Sequence, residues 1–328
     1  MNLDNRSESL YRNFSIIIEW QNIILSEFWR ARKLLQQLCK QVIETSSHVS
    51  KPEIIMVYNS EETEWSKIEQ LVNEQLAPCM SLIELKIIPT SRLRYYELKN
   101  FAAKHSHRDI IIFLDSDVIP EDGWLIGLLE AFQQPEVSLV GGANYYPSES
   151  LYEKATGLIH YGPRESADDH IREAEYFPGG NVAFRRELFE AFPFPPLPHF
   201  RGRWTLMEKI RNQGIKIYCQ PKSRASHPPP NGLGHFVRRA VCDGYDVIMD
   251  HKCMVSVNTQ SALGNNRNNP KSMRRKFSRF YKRYKQAGLG VTDAIGVFGI
   301  IFSYISLMFF GMILTSIKPE LIRRYFAI

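Results

Sequence analysis

Apolar residues in the first 145 positions follow two alternating rhythms. Short runs rich in β-branched residues stand at Phe14–Ile18, Glu53–Val57, Leu82–Ile88, Asp109–Leu114 and Val137–Gly141. Between them lie longer stretches, about Ile24–Ile43, Glu64–Gln75, Tyr95–His105 and Glu121–Phe132. In the first of these, Leu34, Leu35, Leu38 and Val42 recur at helical spacing. Strands alternating with helices predict βαβ units, hence an α/β fold with a mostly parallel central sheet and helices on both faces. No internal repeat interrupts the pattern.

The second half is less regular. It holds a Pro-rich stretch at Phe192–Pro198, a helix near Thr205–Asn212, a strand at Ile215–Cys219 and a Pro cluster at Pro228–Pro230. Loops of this kind on a rigid scaffold commonly carry specificity. From Gly264 to Lys271, Asn and Arg dominate, which reads as a linker. The longest apolar run follows, Ala294–Ile317, without a charge. As a helix rising about 1.5 Å per residue it is long enough to cross a hydrocarbon layer of about 30 Å, and the expectation is one transmembrane helix. A buried core helix is the other reading.

Charge sharpens this picture. The 328 residues carry a net +6 and a pI near 9.0, with 44% hydrophobic and 23% charged residues, so disordered and fibrous classes are excluded. Ten basic residues and no acid lie between Lys252 and Lys285, which leaves residues 1–250 at about −5. That acidic body speaks against a nucleic-acid partner. Within the basic stretch Phe277, Phe280, Tyr281 and Tyr284 repeat at i, i+3, i+4, i+7. This predicts an interfacial helix on an anionic membrane surface, or a solvated helix packing its aromatics on the body. The positive-inside rule then places the body in the cytoplasm, on a single-pass protein. The start of the chain lacks a basic residue followed by an apolar stretch, so no signal peptide is expected. Five widely spaced cysteines without a Cys-x-x-Cys suggest reduced thiols.

The strongest chemical signal is Asp115-Ser-Asp117, directly after the buried-strand run Ile110–Leu114. Ligands bind at the carboxyl ends of strands in open α/β sheets. Two carboxylates there suit a hard divalent cation, Mg²⁺ or Mn²⁺, which neutralises a diphosphate; an ordinary strand-to-loop turn is the bland alternative.

Several features in order resemble a family 2 glycosyltransferase of the GT-A (Rossmann-like) fold. They are the strand Phe14–Ile18, the strand ending at Tyr58-Asn59, the helix Tyr95-Tyr-Glu-Leu-Lys-Asn, Asp115-Ser-Asp117, Pro178-Gly-Gly-Asn-Val-Ala-Phe-Arg-Arg186, and His227. The resemblance covers about Phe14 to Pro230 and extends to membrane-associated members. It implies a GT-A domain over 1–250, with a nucleotide half at about 14–145 and an acceptor half at about 146–250. A basic linker and interfacial helix would follow at 251–292, and a membrane helix with a short tail at 293–328. It also implies transfer of a sugar, with inversion, from a nucleotide-diphosphate sugar to an acceptor hydroxyl in glycan or glycolipid synthesis. The implied donor is a UDP-sugar by preference, the acceptor a glycan or a lipid-linked one, and the cofactor Mn or Mg.

The implied donor-binding residues are Glu19, Trp20, Asn59, Lys99, Asp115, Gly179, Gly180 and Asn181, with Asp117 and His227 at the metal. Trp20 stacks on the base or packs in the core. His227 serves the diphosphate and metal or is structural. The chain departs from the family at the base. The usual Glu-Asp pair falls on Gly202-Arg203, so Glu208, one helical turn on, becomes the nearest candidate base. Glu165, Asp168 and Asp169 are further candidates, while Arg201 and Arg203 suit an anionic acceptor or the diphosphate. The departure also motivates a rival from another class, a non-catalytic sugar-nucleotide or glycan-binding module on the same fold.

Overall fold

Runs of isoleucine fix the first strands, because branched side chains fit a pleated surface buried on both sides. In a computed structural model, which describes residues 13–24, 27–47, 51–161, 170–197, 201–257, 283–285 and 287–326, these runs become β1 (Phe14–Glu19), β2 (Glu53–Asn59), β3 (Glu84–Thr90) and β4 (Ile110–Asp115). The four lie side by side in the order β3-β2-β1-β4, all parallel, with Ile17 opposite both Ile55 and Phe113. The sheet continues as β8 (Asn181–Arg185), β6 (Leu139–Tyr145), β9 (Tyr218–Ser226) and β5 (Ile119–Pro120), and β7 (Arg172–Glu173) pairs with β9. β8 runs antiparallel to β4 and β6.

Side chains leave a strand alternately to its two faces, and two separate cores record this. Ile16, Ile18, Ile54, Met56, Ile110 and Ile112 pack under α1 (Phe28–Thr45), α2 (Trp65–Leu76) and α4 (Trp124–Ala131). Ile17, Ile55, Ile111 and Phe113 pack under α3 (Tyr95–Lys104), α6 (Arg186–Ala191) and α7 (Arg201–Asn212). The expected α/β architecture, with helices on both faces, is therefore present. Three polar residues join the buried face of α1, Arg30, Gln41 and Thr45. Gln41 Oε1 accepts the Leu125 N–H at 2.8 Å, satisfying one of the amides that the start of α4 leaves without a helical partner.

The chain divides into two compact units. The sheet and these helices form the first: 1–144, 166–198 and 202–228. The second comprises 145–165, 199–201 and 229–328. It is built from α5 (Leu151–Ile159), α8 (Gly232–Val257), α9 (Val291–Ile317) and α10 (Pro319–Phe326). α5 opens with a reciprocal cap: the Glu153 N–H donates to Ser150 Oγ at 3.2 Å, and the Ser150 N–H to Glu153 Oε2 at 2.8 Å. α9 contains the apolar run and is long and apolar enough to cross a membrane.

Most of the expected basic interfacial helix lies outside the described residues, including Phe277, Phe280 and Tyr281. Tyr284 is described, and it packs on Ala155, Leu158, Val297 and Ile301.

α8 and α9 touch backbone to backbone. A Cβ on Gly244 would collide with the Met308 carbonyl, and one on Gly311 with the Val241 carbonyl, whereas Gly299 faces open space. Glycine at such crossings lets helices approach closely. Gly244→Ala is expected to destabilise the second unit by about 1–3 kcal/mol. Gly299→Ala, which only raises helix propensity, should leave stability unchanged or higher. Thermal melting of both variants by circular dichroism checks the contrast.

Candidate active site

The parallel strands deliver carboxylates to one edge. In register, Glu19 at the end of β1 lies beside Asp115 at the end of β4, and Asp117 follows two residues on. All three are buried. Buried charge demands partners, and each of the three finds a different answer.

Asp115 is answered by α3. A spacing of four puts Tyr95 and Lys99 on one face of that helix. Lys99 Nζ, itself buried, donates to Asp115 Oδ1 at 2.6 Å, and the Tyr95 hydroxyl lies 2.8 Å from both carboxylate oxygens. Lys99 also donates to the Gly179 carbonyl at 2.8 Å and stands 4.5 Å from the centre of the Tyr95 ring, a favourable place for a cation. The Asp115 N–H donates to the Gly180 carbonyl at 3.2 Å. A Cβ on Gly180 would fall on the Asp115 carboxylate itself. The second glycine of Gly179-Gly180 is thus required by the approach of the carboxylate. Lys99, Asp115, Gly179 and Gly180, expected together from the sequence, form one knot.

Glu19 is answered by its own loop. Its two oxygens accept the Gln21 N–H and the Asn22 side-chain amide, each at 2.9 Å. Burial, and then the charge of Asp115, hold its carboxyl well above the usual range, with Lys99 opposing.

Asp117 is answered only in part. Arg30 Nε donates to its backbone carbonyl at 2.9 Å, and Arg30 Nη2 to the Ser226 carbonyl at 2.7 Å. Asp117 Oδ1, however, is buried with no hydrogen-bond partner among the described residues. Burial first, then Asp115, push its carboxyl up to about 7, against the pull of Arg30. β5 and β9 pair with Ile119, two residues after Asp117, opposite Ser226, the residue before His227. His227 Nδ1 donates to the Pro228 carbonyl at 2.7 Å, which fixes its tautomer.

Other expected site residues are occupied elsewhere. Trp20 is fully buried in the core of the α1 face. The Asn59 side chain holds the loop before α3: Nδ2 donates to the Leu93 carbonyl at 2.7 Å, and Oδ1 accepts from Thr90 Oγ1 at 2.9 Å and the Leu93 N–H at 3.2 Å. Asn181 is buried in a network, its Oδ1 accepting from Trp124 Nε1 at 2.7 Å and its Nδ2 donating to Asn144 Oδ1 at 2.8 Å. Glu208 is exposed on α7. It lies five residues from Arg203, about 140° around the helix axis, and so turns away from it. Arg203 is buried, with its Cδ 3.9 Å from the place of a Cβ on Gly179. A Cβ on Gly202 would strike the Tyr96 ring, so the expected Glu-Asp position has no room for a first side chain. Glu165, Asp168 and Asp169 lie outside the described residues.

Two site residues were not expected, Arg30 and Tyr95. Arg30 had a signal, a lone charge on the otherwise apolar stripe of α1 shared with Leu34 and Leu38.

The donor chemistry fits a hard divalent cation. A buried carboxylate oxygen of Asp117 stands without a hydrogen-bond partner among the described residues, the kind of oxygen ligand such a cation takes. Among the described residues no three His, Cys, Asp or Glu side chains converge enough to hold an ion alone. A cation here would therefore share its coordination with substrate phosphates and water, as Mg²⁺ commonly does.

Many solved structures resemble the chain, among them these three. The first is GalNAc-T7 with UDP, GalNAc and Mn²⁺, at 14% identity and a TM-score of 0.48, covering 66% of this chain. The chain spans only 44% of the length of that protein, and the likeness carries no argument. The mannosyltransferase PcManGT from Pyrobaculum calidifontis, in complex with GDP-Man and Mn²⁺, covers 97% of this chain and 84% of its own, at 15% identity and a TM-score of 0.55. S. aureus TarS 1–349 with UDP-GlcNAc covers 90% and 81%, at 14% and 0.54. At such identities the latter two show the fold, which is GT-A. No curated protein sequence matches. The family model described as glycosyl transferase family 2 matches residues 28–192, half of the chain, and takes in α3, both aspartates and Gly179-Gly180; the chain belongs to that family.

Proposed function

We propose that this chain transfers a hexose from a nucleotide-diphosphate sugar, a UDP-sugar by preference, to an acceptor hydroxyl on a glycan or lipid-linked glycan, with inversion. The observation that carries the proposal is the unpartnered Asp117 oxygen beside the Asp115–Lys99–Gly180 knot, in a chain of glycosyl transferase family 2. Asp117 and His227 would hold a divalent cation, Mn²⁺ or Mg²⁺, which supplies charge neutralisation for the diphosphate. Asp115, oriented by Lys99 and Tyr95, has acceptor capacity left over for a ribose hydroxyl. Gly179 and Gly180 would bring the backbone beside the donor sugar, and Arg203, buried next to Gly179, offers a fixed positive charge to the diphosphate or to an anionic acceptor. The base that deprotonates the acceptor is not assigned to Glu208, because its face of α7 is turned from Arg203.

One observation favours the rival reading. Gly202 and Arg203 replace the carboxylate pair of the family, so a binding module on this fold would retain the donor site and lack turnover. Nucleotide release with Mn²⁺, followed across a panel of sugar nucleotides and acceptors, separates the two. Donor binding without any release supports the rival.

Asp117→Asn is expected to lower turnover at least about 100-fold, a loss of several kcal/mol of transition-state stabilisation. Undiminished release would remove Asp117 from the metal. Glu208→Gln should retain turnover within about twofold, since an exposed side chain away from the chemistry contributes little, and the same assay decides it.

Asp117 also makes stability depend on pH. Its folded carboxyl titrates near 7 against an ordinary value of 3.8, so the folded state holds the proton more tightly. Stability of the metal-free protein therefore falls as pH rises from about 4 through 7. Asp117→Asn should raise the melting temperature at pH 8, leave it little changed at pH 4, and abolish the upward shift that Mn²⁺ gives the unaltered protein.

A further inference from the structure

Arg203 stands where an apolar residue would cost less. Met207 and Ile210 follow it at i+4 and i+7 on α7, and both are fully buried in the core under α3, α6 and α7. Arg203 shares their stripe and is only 8% exposed. Burying a cation there costs free energy that a neutral side chain would save. The placement calls for a use.

Its neighbours fix its position. Gly202 has no Cβ, which lets the first turn of α7 close on the Tyr96 ring. That ring stacks on Phe194 at 4.9 Å and meets Tyr95 edge-on at 4.8 Å. Around the place of a Cβ on Gly179 stand the Tyr95 hydroxyl at 3.4 Å, the Tyr96 hydroxyl at 3.8 Å and Arg203 Cδ at 3.9 Å. The Arg203 guanidinium lies 5.4 Å from the centre of the Trp204 ring, within cation–π range. Trp204 is 36% exposed. A cation backed by aromatic rings thus leads from the glycine turn to solvent.

This cation is set apart from the diphosphate end of the site. Arg30, which holds the Asp117 carbonyl, belongs to α1 on the opposite face of the sheet. Arg30 and then Lys99 are the cations that pull the Asp117 carboxyl down. Arg203 approaches instead from α7, and it meets the site at Gly179, whose carbonyl is tied by Lys99 to Asp115. A diphosphate neutralised at Asp117 has its positive charge on the α1 side. The charge on the α7 side is left for a second anion.

We propose that Arg203 and Trp204 form the acceptor subsite and select an anionic saccharide, one that carries a carboxylate or a phosphate. The planar guanidinium fork takes the anion through paired N–H donors. The indole packs on the apolar face of the sugar ring. The subsite rests on the glycosyl-transfer reading above, and it deepens that reading by naming the acceptor class.

Binding assays on the full chain test it without requiring turnover. The probes are a tetrasaccharide ending in glucuronic acid, one ending in glucose 6-phosphate, and their neutral glucose-ended parent. Isothermal titration calorimetry should show the better anionic probe bound at least about tenfold more tightly than the neutral one. Which of the two anions wins separates a uronate from a phosphate acceptor. Arg203→Gln should bring all three probes to the neutral affinity. Arg203→Lys, which keeps the charge and loses the fork, should retain only part of the preference. Trp204→Ala should weaken all three probes together. Quenching of tryptophan emission by the probes should vanish in Trp204→Phe and persist in Trp29→Phe, where an exposed tryptophan of α1 is removed. Thermal melting confirms that each variant is folded.

Equal affinity for charged and neutral probes would overturn the proposal, as would no binding of either anionic probe. UDP titrated with Mn²⁺ is the third arm. Its affinity should be unchanged within about twofold in Arg203→Gln. A large loss of UDP affinity there, with the saccharide preference intact, would assign Arg203 to the diphosphate and overturn the proposal. Failure of the unaltered protein to bind UDP would sink the donor reading instead, and the saccharide titrations would still decide the subsite.

Discussion

A lysine buried against an aspartate holds the candidate site together. Neither charge could remain at the strand ends alone, since removing one partner of a buried pair costs about 3–5 kcal/mol. Lys99 meets that requirement with one nitrogen and gains a second anchor in the Gly179 carbonyl. The loop entering β8 is thereby tied to the end of β4, and the absence of a side chain at Gly180 lets the tie close. Three segments far apart in sequence, α3, the Asp115 loop and the glycine turn, are positioned by this one pair.

The same crowding explains why Asp117 is poised as it is. Glu19 and Asp115 each accept from internal donors, which leaves the third carboxylate of the edge with like charges nearby and little to offset them. Arg30 steadies its backbone and moderates its charge without occupying Oδ1. The fold thus keeps one oxygen in reserve at the expense of metal-free stability, a common trade at functional sites.

Much of the first unit could be read from the sequence because burial on both faces writes itself as continuous isoleucine runs. β1, β2 and β4 and the helices between them fall within a few residues of their expected limits. Asp115 and Asp117 were legible for the same reason, standing where a buried run stops. What failed to show was set by partners distant in sequence. Nothing local reveals that Asn59 is spent on Leu93, Asn181 on Trp124, or Trp20 on the core. α8 was missed altogether, since Phe236, Ala240, Val241 and Tyr245 are diluted by glycines and charges and begin just after a proline cluster. The apolar run of α9 was legible as a helix long and apolar enough to cross a membrane, while its partners on α5 and α8 are invisible in a one-dimensional pattern.

The glycine contacts between α8 and α9 have a practical consequence. Apolar C-terminal helices are commonly cut away to obtain soluble fragments of membrane-attached enzymes. Here, ending the chain at Gly290 would strip α8 of its closest neighbour and bare Phe236, Ala240, Val241 and Tyr245 together. Such a fragment exchanges one sticky surface for another. Grafting charges onto the exposed apolar positions of α9, with the whole helix retained, is the sounder route to a tractable protein.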